Sequence, residues 1–120
     1  MAAPRAAGRL RERLHFQARA TADDGTGSVG PYGEFETRFT MSAALTPRTG
    51  GEEVTAARLE GRQPYVCLVR NCSQMRDVTV GWQIVDARDG SRVFNIASPP
   101  ADPDGKNQWL EFLVIDGPVS

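Results

Sequence analysis

Apolar and polar residues alternate along several short segments of this chain, a pattern typical of β-strands with one buried face. Leu14 and Phe16 share one face of residues 11–20. The alternation resumes in residues 35–47, where Pro47 ends it because proline cannot donate a hydrogen bond to a central ladder. Both segments are therefore predicted as half-buried strands.

Four further segments complete the predicted set of strands. Residues 63–71 are apolar on both faces, which predicts a strand buried on both sides. Residues 80–88 and 92–98 flank Asp89–Gly90, a dipeptide that favours a tight hairpin. Residues 108–116 form the last apolar segment, for which a strand is favoured over a short helix. Six strands joined by turns predict a small closed β-barrel or a β-sandwich.

Two connecting segments differ from ordinary turns. Residues 21–34 contain four glycines, a proline and two aspartates, and predict a long flexible hairpin loop suited to contact with a partner. From about residue 52 to residue 60 the chain predicts a short helical insertion, with Gly61 as its left-handed C-terminal residue. The apolar residues of this segment form no continuous stripe, so the helix would be marginal without a neighbour to pack on.

Length and composition are those of one globular domain. The chain has 120 residues, of which 40% are hydrophobic and 24% are charged. Residues 10–117 are expected to form the domain, after a flexible tail of residues 1–9. The N-terminal residues lack the continuous apolar core of a secretion signal, and no apolar run approaches the roughly 20 residues of a membrane-spanning helix.

The formal net charge of −1 does not favour a free-standing nucleic-acid binder. The charge is nevertheless distributed in bands. Residues 1–20 hold five arginines and one glutamate, whereas residues 21–60 hold seven acids and three arginines. Such bands could register contacts between neighbouring copies of the chain. Chance variation in a solvated surface is the competing explanation.

Residue patterns that support catalysis or metal binding are scarce in this sequence. His15 is the only histidine, and it lies in an alternating strand that leaves no base beside a serine or cysteine nucleophile. Cys67 and Cys72 lack metal-binding spacing, and they predict two reduced thiols of a cytosolic protein. No enzymatic activity, cofactor, metal site or small-molecule substrate is therefore expected.

An alternative function for a small barrel is the binding of single-stranded nucleic acid, in which aromatic side chains stack on bases among basic residues. The aromatic candidates are Tyr65, Trp82 and Phe94, and the arginines that could line a groove are Arg62, Arg70, Arg88 and Arg92. Because these aromatic residues lie within apolar runs, packing in the core competes with this interpretation.

Three blocks of the sequence are similar to the head–tail joining proteins of tailed bacteriophages, also called head-closure or stopper proteins, and to their relatives in prophages and gene transfer agents. The blocks are "GRLRERLHFQ" at 8–17, "GGEEVTAARLEGRQPYVCLVR" at 50–70 and "WQIVDARDGSRVFNI" at 82–96. The middle block is the most specific of the three. The resemblance extends from about Gly8 to Gly117.

This resemblance implies a β-barrel with a structural role in the virion or a virus-like particle, assembled in the cytoplasm of the bacterial host. Copies would form a hexameric or dodecameric ring that meets portal or adaptor proteins on one side and tail terminator or tail tube proteins on the other. The ring would close the channel after packaging, dock the tail and let double-stranded DNA pass without sequence specificity. No membrane or cofactor is implied.

The resemblance also assigns roles to individual residues. Phe16, Trp82 and Ile96 are assigned to the core. The helical insertion is expected to bridge neighbouring subunits or to project toward the channel, with its acids paired to arginines of the next copy. The charged positions assigned to subunit and partner contacts are Arg9, Arg11, Glu52, Glu53, Arg58, Arg62, Asp86 and Arg88.

Overall fold

The computed structural model describes residues 10–48, 50–102 and 105–117, and at residues 53, 54, 57 and 58 it describes the backbone alone. Residues 1–9, expected to form a flexible tail, lie outside the described residues. The elements in chain order are β1 Glu12–Arg19, β2 Ala22–Asp23, β3 Val29–Gly30, β4 Phe35–Pro47, α1 Glu52–Leu59, β5 Pro64–Arg70, β6 Gln83–Asp86, β7 Val93–Ile96 and β8 Trp109–Asp116. A 3₁₀ turn, Ser73–Asp77, lies between β5 and β6.

Within the described part of the chain, six strands close into an antiparallel barrel in the order β1-β4-β5-β8-β7-β6. The barrel closes where β6 pairs with β1, in a register that runs from Leu14 opposite Asp86 to Gln17 opposite Gln83. Closure leaves none of these strands with an open edge to which another chain could pair. The predicted barrel, the six strands and the final strand are confirmed, and the sandwich alternative is excluded.

The barrel encloses an apolar core around Phe16. The ring of Phe16 is fully buried, stacks on Phe39 with 4.9 Å between centroids, and meets Phe112 edge-on at 6.1 Å. Ile96 is also buried, so the core assignments of Phe16 and Ile96 are confirmed. Trp82 is half-buried and packs against the edge of this core.

The expectation that β5 is buried on both sides is wrong. Cys67 and Val69 face the core with no exposure, whereas Val66 and Leu68 alternate with them and are only half-buried. A barrel strand has one inner and one outer face. The apolar character of the outer face of β5 therefore does not come from a second buried layer.

Residues 20–34, hereafter called the arm, connect β1 to β4. The predicted hairpin loop is present, and it contains a two-stranded ribbon in which Ala22 pairs with Gly30 and Asp23 with Val29. Composition did not predict this ribbon. The turn that joins its two strands is organised by the carboxylate of Asp23, which accepts hydrogen bonds from the backbone N–H groups of Gly25 and Gly27 at 2.8 and 3.2 Å.

Antiparallel pairing sorts the connections to the two ends of the barrel. The α1 end holds the start of β1, the insertion between β4 and β5 with α1, the β6–β7 hairpin and the end of β8. The arm end holds the arm, the connection from β5 to β6 and the connection from β7 to β8.

Candidate assembly surface at one end of the barrel

The α1 end gathers the charged positions that the sequence assigned to assembly. They come from three separate segments that the closed barrel brings to one end, and those described in full are Arg11, Glu52, Arg62, Asp86 and Arg88. Arg9 lies outside the described residues, and the side chains of Glu53 and Arg58 on α1 are outside them as well. The structure therefore brings these segments together at one end.

Arg92 joins β1 to the β6–β7 hairpin through two ion pairs. Its Nη1 lies 3.2 Å from a carboxylate oxygen of Glu12 and 3.2 Å from Oδ2 of Asp86. Burial by itself would lower the pKa of the Arg92 guanidinium, but its hydrogen bond to Asp86 and the charge of Glu12 outweigh burial and raise that pKa. The Asp86 side chain is only 8% exposed, so water screens little of its charge, and Arg92 supplies a cation that compensates it.

Asp86 and Arg88 are engaged within their own chain. Oδ1 of Asp86 accepts a hydrogen bond from the Arg88 backbone N–H at 2.8 Å, and the Arg88 guanidinium donates to the Arg11 carbonyl at 2.8 Å. The Ala87 N–H donates to the carbonyl of Arg13 at 2.8 Å. These two predicted contact residues therefore fix the hairpin against β1.

The β6–β7 connection is the hairpin that Asp89–Gly90 predicted, but its turn is longer than the two-residue type. The last paired residues are Val85 and Val93, and the Asp86 N–H donates to the Arg92 carbonyl at 3.0 Å. The hydroxyl and the backbone N–H of Ser91 both donate to Asp89, and these bonds hold the pKa of Asp89 below its usual value.

Arg62 ties the end of the insertion to the end of β8. Its Nε donates to the Asp116 carbonyl at 2.9 Å. A Cβ atom on Gly117 would lie 3.2 Å from the same nitrogen, so the guanidinium packs closely on the backbone of Gly117. Arg62 is therefore occupied within the chain too, which leaves Arg11 and Glu52 as the fully described positions that remain candidates for external contacts.

Helix α1 is confirmed where the sequence placed it, and Gly61 has the predicted left-handed backbone with a φ of +75°. Leu59 is 85% exposed, the largest value among the large hydrophobic side chains that the structure describes. Beside it runs an open cleft of about 510 Å³ that Gly51, Glu52, Thr55, Ala56 and Leu59 line. The helix thus presents an apolar side chain that its own barrel does not cover.

Two residues of this end were missed as site residues by sequence reasoning. Glu12 was passed over, and Arg92 was considered only as part of a nucleic-acid groove. Their roles depend on the pairing of β1 with β6 and on the hairpin register, which bring Glu12, Asp86 and Arg92 together. The six-residue separation of Asp86 and Arg92 across a hairpin turn was a usable signal for one of the two ion pairs.

The aromatic side chains considered for nucleic-acid stacking do not form a platform. Phe94 is 1% exposed, Tyr65 meets it edge-on at 5.6 Å, and the Arg92 guanidinium lies 5.1 Å from the Phe94 centroid. Trp82 follows the β5–β6 connection at the arm end. These positions support core packing, the competing interpretation, for Tyr65 and Phe94.

No group of three or more His, Cys, Asp and Glu side chains that could hold a metal ion occurs in the described residues. Burial raises the pKa of the Cys67 thiol above its ordinary value. None of the helices in the described part of the chain has the length and the apolar character of a membrane span.

Comparison with known proteins gives one family and two similar folds. A family model described as phage head completion protein matches residues 5–117. A chain from the virion of a native gene transfer agent particle has a TM-score of 0.62 at 19% identity, and the match covers 92% of this chain and 96% of that chain, which shows a shared fold. Protein SF1141 from Shigella flexneri 2a, solved in solution, has a TM-score of 0.62 at 25% identity, over 95% of this chain and 98% of that chain. No curated protein matches the sequence.

Proposed function

Because this chain belongs to the phage head completion protein family, we propose that its copies form a ring between the head and the tail of a phage-type particle. The chain is a structural protein of the virion, in the head–tail region. The proposed ring closes the DNA channel after packaging and docks the tail. Double-stranded DNA passes through it without sequence-specific contacts.

The observation that best supports a ring is the incomplete packing of helix α1. An isolated helix shorter than about 12 residues is marginal in water, and most helix stability in proteins comes from tertiary packing. Helix α1 spans Glu52–Leu59 and contacts its own barrel chiefly at β5, while Leu59 remains 85% exposed. A neighbouring copy that covers Leu59 would supply the missing packing.

The energetics favour apolar burial over charge pairing as the source of assembly. Covering a leucine side chain contributes about 1.5–3 kcal/mol, whereas an exposed ion pair contributes about 0–1 kcal/mol. A ring repeats the contact at every interface, and its closure makes contacts of this size cooperative. In this proposal Leu59 provides the affinity, and Arg11 and Glu52, with Arg9, Glu53 and Arg58, provide orientation.

The charges fixed within the chain have a different part in the proposal. Arg62, Asp86 and Arg88 hold the insertion and the hairpin in place relative to β1 and β8. The surface that meets the next copy, or the adaptor and tail proteins, is thereby shaped before assembly. A surface that is already shaped loses less conformational entropy when it binds.

Substitution of Leu59 by Asn tests this proposal. Because Leu59 is 85% exposed, the isolated chain should unfold at the wild-type temperature, within the error of a circular dichroism melt. In particles assembled with the variant, each interface should weaken roughly tenfold or more, and electron microscopy should show filled heads without tails.

Leu59→Met is the matched control, because it keeps the apolar area and should leave wild-type numbers of tailed particles. The proposal fails if Leu59→Asn particles carry tails as often as the wild type.

A further inference from the structure

Exposed apolar side chains also mark the opposite end of the barrel. Besides Leu59, the large hydrophobic residues most exposed in the described part of the chain are Val29, Tyr32 and Val80, at 68%, 52% and 56%. All three lie at the arm end. Val29 and Tyr32 are on the arm, and Val80 is on the connection from β5 to β6.

The arm presents Tyr32 in a fixed position. The Tyr32 N–H donates to the Gly30 carbonyl at 2.8 Å, and a Cβ atom on Gly30 would lie 2.9 Å from the tyrosine ring. The ring therefore rests on the bare backbone of Gly30 while its other side faces solvent. At the base of the arm, the Ala20 N–H donates to Glu34 and the Gly33 N–H donates to Ala20, each at 2.8 Å.

A pocket of about 390 Å³ lies next to the base of the arm. The side chains that line it are Ala18, Arg38, Phe39, Gln74, Asp77 and Trp82. Phe39 and Trp82 form an aromatic floor with 6.2 Å between ring centroids. Gln74 and Asp77 belong to the 3₁₀ turn, which Met75 anchors in the core. An aromatic floor with a polar rim suits a side chain that is apolar with a polar tip, such as tyrosine.

The charges of the arm and of the rim are complementary in part. Residues 21–34 carry Asp23, Asp24 and Glu34 and no basic residue. Arg38 lines the pocket, is 43% exposed at its side chain and pairs with Glu36 at 3.7 Å, whereas Arg76 is an exposed residue of the neighbouring 3₁₀ turn, next to Asp77. An acidic arm that approaches these two arginines is oriented by them.

We propose that the arm of one copy packs into this pocket on the next copy, with Tyr32 against Phe39 and Trp82. The proposal rests on the proposed ring and names its second subunit contact, at the end opposite α1. Tyr32 and the pocket belong to the same molecule, but within that molecule each remains open to solvent. Two different surface patches that fit one another give a head-to-tail contact, which closes into a ring when the rotation between copies allows it.

Cross-linking within assembled particles tests the contact. The variant carries both Val29→Cys, at an exposed arm position that leaves Tyr32 in place, and Asp77→Cys, and particles that contain it are oxidised and run on a non-reducing gel. We expect a ladder of dimers, trimers and higher multimers that reductant collapses to monomer. Each single-cysteine variant is the control for Cys67 and Cys72, and neither should give a ladder.

Three results would overturn the proposal. In the first, particles hold the double variant in wild-type amount but no multimer forms. In the second, only a faster-migrating monomer forms, because the two cysteines have joined within one chain. In the third, the wild-type chain is absent from purified particles, which would overturn the proposed function together with this contact.

A second pair of variants tests the side chain itself. Tyr32→Ser should weaken each contact roughly tenfold and lower the number of copies per particle, while Tyr32→Phe should keep the wild-type number. Equal copy numbers in both variants would contradict a role for the aromatic ring.

Discussion

Replacement of Arg92 by Met removes the cation that joins β1 to the β6–β7 hairpin while keeping most of the aliphatic stem. In the wild type, Arg92 Nη1 lies 3.2 Å from both Glu12 and Asp86, and the Asp86 side chain is only 8% exposed. Without Arg92, this nearly buried carboxylate keeps the backbone N–H of Arg88 as a hydrogen-bond donor but loses its cation. We therefore expect Arg92→Met to destabilise the barrel.

The size of the effect follows from burial. Breaking a buried ion pair costs about 3–5 kcal/mol, whereas an exposed pair contributes about 0–1 kcal/mol. The side chains of Arg92 and Glu12 are 36% and 30% exposed, so solvent screens part of the interaction, but Asp86 is almost fully enclosed. Between these limits, the free energy of unfolding should fall by about 2 kcal/mol.

Urea unfolding of the purified chain, followed by circular dichroism, measures this change. Arg76→Met is the matched control, since Arg76 is an exposed arginine of the 3₁₀ turn and its loss should change the free energy by less than about 0.5 kcal/mol. Asp86→Asn combined with Arg92→Met should cost less than the sum of the two single changes, because a neutral amide has no unpaired charge. If Arg92→Met has the same free energy of unfolding as the Arg76→Met control, the ion pairs of Arg92 do not stabilise this end of the barrel.

Two further predictions concern single positions of the fold. Gly61→Ala should lower the free energy of unfolding by about 1 kcal/mol and reduce the helical circular dichroism signal, because Gly61 has a φ of +75°. Gly90→Ala is the control, since Gly90 has open space around it and no left-handed backbone, and it should change that free energy by less than about 0.5 kcal/mol. Equal effects of the two substitutions would refute the role of Gly61 as the left-handed residue that ends α1. Thiol labelling at mildly alkaline pH, followed by mass spectrometry, should modify half-buried Cys72 well before Cys67, whose burial raises its pKa and blocks access; equal labelling rates would contradict the burial of β5.

The strands were predictable because their signal is local. The alternation around Leu14 and Phe16 depends only on neighbouring residues and on the two-residue period of a strand. Helix α1 and Gly61 were predictable for a similar reason, since a glycine after a short helical segment supplies the left-handed residue that ends it.

Features that depend on closure of the barrel were not predictable. The outer positions of Val66 and Leu68 follow from barrel geometry, and their apolar character alone indicated burial on both sides. The cluster of Glu12, Asp86 and Arg92 exists because β6 pairs with β1, a contact between segments about 70 residues apart. Similarly, the pocket at Phe39 and Trp82 combines residues of β1, of β4 and of the connection from β5 to β6.

The sequence predicted which segments form the candidate site, but not what each of its residues does there. Resemblance selected Arg62, Asp86 and Arg88 as contact residues, but their hydrogen bonds within the chain give each an internal partner. Nothing in the local sequence distinguishes an arginine that binds its own backbone from one that binds a neighbour. Leu59 lay in the block with the most specific resemblance, yet its exposure could be recognised only after the barrel left it uncovered.

Electron microscopy of particles that contain this chain would show directly whether its copies form the proposed ring. We expect a closed ring of six-stranded barrels between the portal and the tail, with α1 of each copy against its neighbour at Leu59. Density for the chain elsewhere in the particle, or as separate copies that do not touch, would contradict the proposed ring.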